Sequence, residues 1–254
     1  MKGARILSRV VVGALAVLVS AGCELYAGAP VEGRFDRSLS VNGPVDLNIR
    51  TGAGGIRIDT GPTNSVHVIA RIRVNGWFEG DPERRVKQIE ANPPIQQDGN
   101  RIRIGPVGDN ELYQHVSIEY ELTVPEATSV YSAAGSGGQT IRNVRGPVHA
   151  TAGSGGIRID GTQGDVHVTA GSGGIRLTGI RGAVVARVGS GGITLSVADN
   201  LPFELDASAG SGGIANHQPI TPIGAMSRHR VRGTVRGGGP RIELSTGSGG
   251  IVIE

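Results

Sequence analysis

The chain has 254 residues, of which 43 are glycine, about 17% against a usual share of about 7%. With only 3 Phe, 4 Tyr and 1 Trp, a core built on large aromatic side chains is excluded, so the interior has to be small and aliphatic. The formal charge of +3 rests on 25 basic and 22 acidic residues, and three of the basic ones, Lys2, Arg5 and Arg9, sit in the first nine positions.

Those three precede a ten-residue apolar run, Val10 to Val19, half the length of about 20 residues needed to span a bilayer core. Ser20-Ala21-Gly22-Cys23 follows and resembles a lipobox, with Ser20 where Leu is usual. Residues 1–22 are therefore expected to be a lipoprotein signal peptide, Cys23 the lipidated residue, and residues 23–33 a tether. A buried thiol is the bland alternative for this lone cysteine. Removal of the leader would take away three basic and no acidic residues, leaving 22 of each sign. A neutral chain has no general nucleic-acid footprint, so nucleic acid is not an expected partner. One cysteine also excludes an internal disulfide and a thiolate metal site.

Residues 34–131 form the irregular first part of the expected domain, which spans 34–254. Apolar alternation at Phe35–Ile49, Val66–Val74, Arg101–Ile104 and Val116–Val124 predicts strands. Asp81-Pro82-Glu83 carries the chemistry of a helix start and Pro93-Pro94 of a stop, which predicts a helix over 82–91 with Val86 and Ile89 on one face. Trp77 and Phe78 are expected to pack beneath it.

Residues 132–254 are a repeat. A GSGG block, GAGG in its first occurrence, begins at Gly52, Gly135, Gly153, Gly171, Gly189, Gly210 and Gly247; the central intervals are 18 residues, then 21, then 37. The last interval reads as two turns of the period with one block lost. On both sides of each block apolar residues alternate, as in Val166, Val168, Ala170 and then Ile175, Leu177. This predicts an all-β parallel solenoid with coils of about 18 residues, two strands per coil, each side chain stacked on its counterpart at about 4.8 Å. The block glycines serve as turns, by positive φ and by letting stacked backbones approach without a Cβ. Dividing 34–254 by the period gives about 12 coils, extending about 58 Å. The C-terminal strand Ile251–Ile253 shows no cap and is expected to be an edge that pairs with a second copy or a partner.

Tyr120-Glu-Leu-Thr-Val-Pro125, an apolar strand and then repeated Gly-Ser-Gly-Gly-Ile units resemble the bacterial adhesin-like family of β-strand-repeat proteins. That family commonly reads Gly-Ser-Gly-Asp-Ile where this chain has Gly. The resemblance, over about Phe35 to Glu254, implies an exported β-solenoid with adhesion or envelope-stress roles and brings no catalytic residues.

Candidate chemistry is sparse. The repeated AGSGG approaches a nucleophile elbow, but six copies at turns with no following helix read as structure. Phosphate-loop and calcium-spine readings fail for want of a Lys-Ser pair and of an acid in every coil: Asp59 and Asp160 are matched by Thr178 and Ser196. His149 and His167, one period apart, are weak metal candidates, two ligands being too few for structural zinc; their mutual repulsion should lower a pKa. Arg158 and Arg176 are ladder neighbours, and Arg142 should face Asp160. Arg228, Arg230, Arg232 and Arg236 form a basic stripe that could dock on anionic envelope groups. No cofactor is expected. The sequence points to a non-catalytic, lipid-anchored envelope protein that binds surface components. An envelope-stress sensor and a polysaccharide-acting β-helix enzyme are the rivals.

Overall fold

A computed structural model of the chain describes residues 30–61, 64–75, 81–106, 111–198 and 200–254. The expected leader, Cys23, Trp77 and Phe78 lie outside these residues. The chain opens with β1 (Val31–Ser40), β2 (Val45–Thr51), β3 (Ile56–Thr60) and β4 (Ser65–Val74). Helix α1 (Pro82–Ala91) is followed by β5 (Ile95–Asp98), β6 (Arg101–Ile104), a 3-10 turn at Glu111–Tyr113 and β7 (Val116–Val124). The regular part supplies β8 (Thr128–Ala134), β9 (Gln139–Arg142), β10 (Val148–Ala152), β11 (Ile157–Asp160), β12 (Val166–Ala170), β13 (Ile175–Ile180), β14 (Val184–Val188) and β15 (Ile193–Val197). The last part holds β16 (Phe203–Ala209), β17 (Ile214–Asn216), β18 (Ile220–Pro222), β19 (Arg230–Val235), β20 (Arg241–Thr246) and β21 (Ile251–Ile253).

These strands form two facing sheets. One has ten strands in the order β1, β4, β7, β3, β9, β11, β13, β15, β21, β17; the other has eleven, in the order β18, β19, β16, β20, β14, β12, β10, β8, β2, β6, β5. Each coil puts one strand in each sheet and turns between them at its glycine block. Alternation then decides the interior. Val130, Val148, Val166 and Val184 stack in register from β8 to β14 and are all fully buried, while His149, Thr151, His167 and Thr169 face outward. Facing them across the interior, Ile141, Ile159, Leu177 and Leu195 form a matching buried row. The fold is the expected parallel β-solenoid, and the 18-residue period is the register of these ladders.

The glycines act by close approach. A Cβ on Gly153, Gly171, Gly189 or Gly247 would lie 2.5–2.6 Å from the first-glycine carbonyl oxygen of the neighbouring coil, a distance that no real Cβ keeps. None of these four has a positive φ; within the blocks that conformation is confined to Gly54. The positive-φ half of the expectation is thus corrected for these corners: stacked backbones, not a left-handed turn, require the missing side chain.

Two further expectations are corrected. Eight parallel strands stack in each sheet among the described residues, not twelve, spanning about 34 Å. Residues outside the regular coils go into antiparallel strands instead: β4 pairs with β1 and β7, and β19 with β16 and β18. The second correction concerns the C-terminus. β21 lies inside its sheet between β15 and β17, and β20 lies between β14 and β16. The chain leaves one coil slot open after β15, builds β16 and β17 beyond it, returns through β18 and β19, and fills the slot last. The 37-residue interval is this detour, not a lost block. The C-terminal strand is therefore not an available edge; β17 and β18 are the edges at that end.

At the other end, α1 forms where the helix-start residues predicted it. The Asp81 carboxylate accepts from the Arg84 amide at 2.9 Å, and Val86 and Ile89 are buried. The helix packs on β1 and β4, and the Glu90 carboxylate accepts the Arg34 amide at 2.8 Å. An otherwise open edge N–H on β1 is thereby satisfied. β1 begins at Val31, within the stretch expected as tether.

Candidate functional site

Three outward surfaces bring together the residues singled out in the sequence. The first is a groove of about 630 Å³ on the ten-stranded sheet. Its floor is the fourth glycine of five successive coils: Gly55, Gly138, Gly156, Gly174 and Gly192. Beside that floor run the outward residues of the following strands, in register as Arg57, Thr140, Arg158, Arg176 and Thr194. Arg57, Arg158 and Arg176 are exposed, and among the described residues they make no ion pair. The next outward row is neutralised from within: Arg142 lies 3.2 Å from Asp59 and 3.7 Å from Asp160, the second contact being the one expected from their spacing. Glu119 closes one end of the groove and is 3.8 Å from Arg71.

The second surface lies on the eleven-stranded sheet. His149 and His167 stack with centroids 4.9 Å apart and planes 8° from parallel, and Tyr131 extends the stack at 4.7 Å and 5°. Parallel register forces this, because Tyr131, His149 and His167 are directly paired on β8, β10 and β12. Burial, and secondarily the neighbouring His167, hold the His149 imidazole below its ordinary pKa. The expected repulsion is present but is the lesser cause. Among the described residues no group of three His, Cys, Asp or Glu side chains is placed to hold a metal. The row reads as a ring ladder over a shallow depression ended by Arg50 and Arg187.

The third surface is the arginine stripe near β19, which does not form one free basic face. Arg230 and Arg232 straddle Asp206 of β16 at 3.6 and 3.9 Å. Arg228 donates to the His229 ring at 2.7 Å, and Arg236 lies past the strand with φ 51°, donating to Gln218 at 2.9 Å. Antiparallel pairing of β19 with β16 puts the acid between the two bases, which the sequence spacing did not reveal. The turn glycines Gly135, Gly153, Gly171, Gly189, Gly247 and Gly210 stack in that spatial order along one corner.

Sequence reasoning grouped Arg158 with Arg176 but missed Arg57. Arg57 joins them because the coil formed by β2 and β3 stacks directly on that of β8 and β9, with residues 61–127 looped out between. The signal was present: Ile56-Arg57-Ile58 after GAGG matches Ile157-Arg158-Ile159 after GSGG.

Residues 120–254 match the Toastrack DUF4097 family. No curated protein matches the chain. A solved structure of a candidate cell adhesion protein from Clostridium sporogenes is similar over 88% of this chain and 98% of its own, with TM-score 0.52 and 14% identity. A candidate adhesin from Bacteroides fragilis aligns over 89% of this chain and 99% of its own, with TM-score 0.38 and 14% identity. At such identity the first likeness shows a shared fold. The two-sheet solenoid and the match over more than half of its length together place this chain: it belongs to the Toastrack DUF4097 family.

Proposed function

We propose that the protein is a non-catalytic, lipid-anchored component of the cell envelope whose solenoid presents a binding surface to other envelope components or to another cell. The observation that carries this reading is the groove. Parallel register repeats one side chain per coil along an open surface, giving an extended, pre-organised row of polar contacts rather than an enclosed reaction chamber. Among the described residues Glu119 is the one carboxylate lining it, whereas acid–base cleavage of a glycan commonly uses a pair of carboxyl groups. The shared fold with a candidate cell adhesion protein supports the same reading.

In this reading residues 1–22 are removed, Cys23 carries the lipid, and the short tether leads into β1 at one end of the stack. β17 and β18 then mark the end distant from the anchor. Fractionation of cells expressing wild type and Cys23→Ser tests the anchor: the variant is expected to leave the membrane fraction. Release of reducing ends from acidic or neutral polysaccharides by the purified chain would overturn the non-catalytic part.

A further inference from the structure

We propose that the groove on the ten-stranded sheet binds an extended acidic polysaccharide, through Arg57, Arg158 and Arg176 with Thr140 and Thr194 interleaved. This rests on the surface-binding reading above and names its ligand class.

The starting point is a contrast within the glycine block. From the second block on, the first and third glycines are sterically obligatory: a Cβ on Gly171 would sit 2.5 Å from the Gly153 carbonyl oxygen, and one on Gly173 would meet the Gly155 and Gly156 backbone. The fourth glycine is not under that constraint. A Cβ on Gly138, Gly174 or Gly55 would find its nearest neighbour at 3.7, 3.5 and 3.4 Å, ordinary contact distances, while one on Gly156 or Gly192 would meet a backbone oxygen at 3.3 Å, a tight contact but far from the overlap at the first and third positions. None of the first three has a positive φ. Packing therefore does not explain why Gly55, Gly138 and Gly174 lack a side chain. The five bare positions leave a continuous trough about 19 Å long, four strand spacings, along the solenoid axis.

Charge selects the occupant. Arg158 and Arg176 are about 4.8 Å apart at the backbone and make no ion pair among the described residues; Arg57, two strands from Arg158, has Glu121 as its register partner on the far side. The adjacent row of Asp59, Arg142 and Asp160 is internally paired, so of these two rows the groove row is the one that carries unpaired bases. An anionic chain lying in the trough would offset their charge, and Thr hydroxyls between the arginines suit a chain that carries hydroxyls between its anionic groups. Other polyanions fit less well. An extended acidic peptide repeats its same-face carboxylates at about 6.7 Å, out of step with rows spaced at multiples of about 4.8 Å. Single-stranded nucleic acid needs aromatic platforms, and Tyr120, the aromatic residue of the lining, is fully buried. A bilayer is flat and would meet the neutral row as well as the groove.

The test uses the full chain in detergent micelles at low ionic strength, with polygalacturonate as the probe and neutral dextran, poly-L-glutamate and phosphatidylglycerol vesicles as the other arms. Wild type is expected to bind polygalacturonate in preference to all three. Arg158→Ser combined with Arg176→Ser should weaken that binding at least about tenfold. Gly174→Asp, which refills the trough with an acid while keeping every arginine, should do the same with an unchanged urea midpoint. Arg101→Ser, on the eleven-stranded sheet and 3.4 Å from its neighbour Asp46, should leave binding unchanged. Equal binding by wild type and the double-arginine variant would overturn the assignment while leaving the surface-binding reading intact. Preference for poly-L-glutamate or vesicles would overturn it as well, and turnover of the polymer would overturn the surface-binding reading itself.

Discussion

The middle and the last part of this solenoid use the same glycine block but relate chain order to spatial order differently. From β8 to β15 each coil lies directly beside its predecessor, so sequence neighbours are spatial neighbours. From β16 onward the order breaks: β16 and β17 lie beyond a slot that β20 and β21 occupy afterwards. The interiors differ too. The middle coils are filled with Val, Ile, Leu and Ala, whereas the buried aromatics Phe35 and Tyr120 lie toward one end and Phe203 toward the other. A repeat can extend indefinitely with one stacking rule, but its ends need other devices. Here those devices are a helix over β1, antiparallel strands and a late-inserted coil.

The largest test of this contrast removes the inserted coil. Truncation after Gly239 deletes β20 and β21, taking from β16 and β17 the parallel neighbours that join them to β14 and β15. Residues 200–239 are expected to become protease-sensitive, while the core formed by 128–197 stays protected in hydrogen exchange. Loss of protection throughout would mean that middle and end form one cooperative unit.

A second test separates rows within one block. Gly155→Ala drives a Cβ into the Gly137 carbonyl and within 3.0 Å of the Gly138 amide, and should cost about 3 kcal/mol or more by urea unfolding. Gly174→Ala meets nothing closer than 3.5 Å and should be neutral or stabilising by about 0.5 kcal/mol. Similar losses for both would remove the distinction between obligatory and permissive glycines.

These rows explain what the sequence could and could not reveal. Coil length, strand faces and the buried rows follow from local alternation and an 18-residue period, because parallel in-register stacking needs nothing else. The helix was legible from Asp81-Pro82-Glu83 for the same local reason. The insertion of β20 and β21 was not, since residues Phe203–Ala209 and Arg241–Thr246 have the same alternating pattern and either could follow β14. The pairing of Arg230 and Arg232 with Asp206 depends on that non-local return. The groove required knowing that residues 56–58 and 157–159 lie on the same sheet face.

An interior exception gives a test of middle size. Gln139 occupies the buried position that Ile56, Ile157 and Ile175 hold in other coils, 2% exposed. Its oxygen accepts from the Ser132 hydroxyl at 2.5 Å, and its amide donates to the Thr151 carbonyl. Gln139→Ala should cost about 2 kcal/mol by leaving those groups without partners, and Gln139→Ile with Ser132→Ala should recover most of it. Failure of the double variant to recover would mean that the polar contact does more than satisfy its own members.

The smallest effect expected is the pH response of the ring ladder, a consequence of in-register stacking. His149 titrates below the ordinary 6.5, from burial first and from His167 second. As pH falls through 6.5 the unfolded chain takes up a proton that the folded chain still refuses. Stability linked to this group is therefore complete above 6.5 and declines as pH drops toward and through the folded-state value. Exposure of the ladder keeps the effect small. In His149→Gln the urea midpoint should fall less between pH 7 and pH 5 than in wild type, and the Tyr131 stack should lose its titrating neighbour without loss of fold. Equal falls in both proteins would place the acid sensitivity outside the ladder.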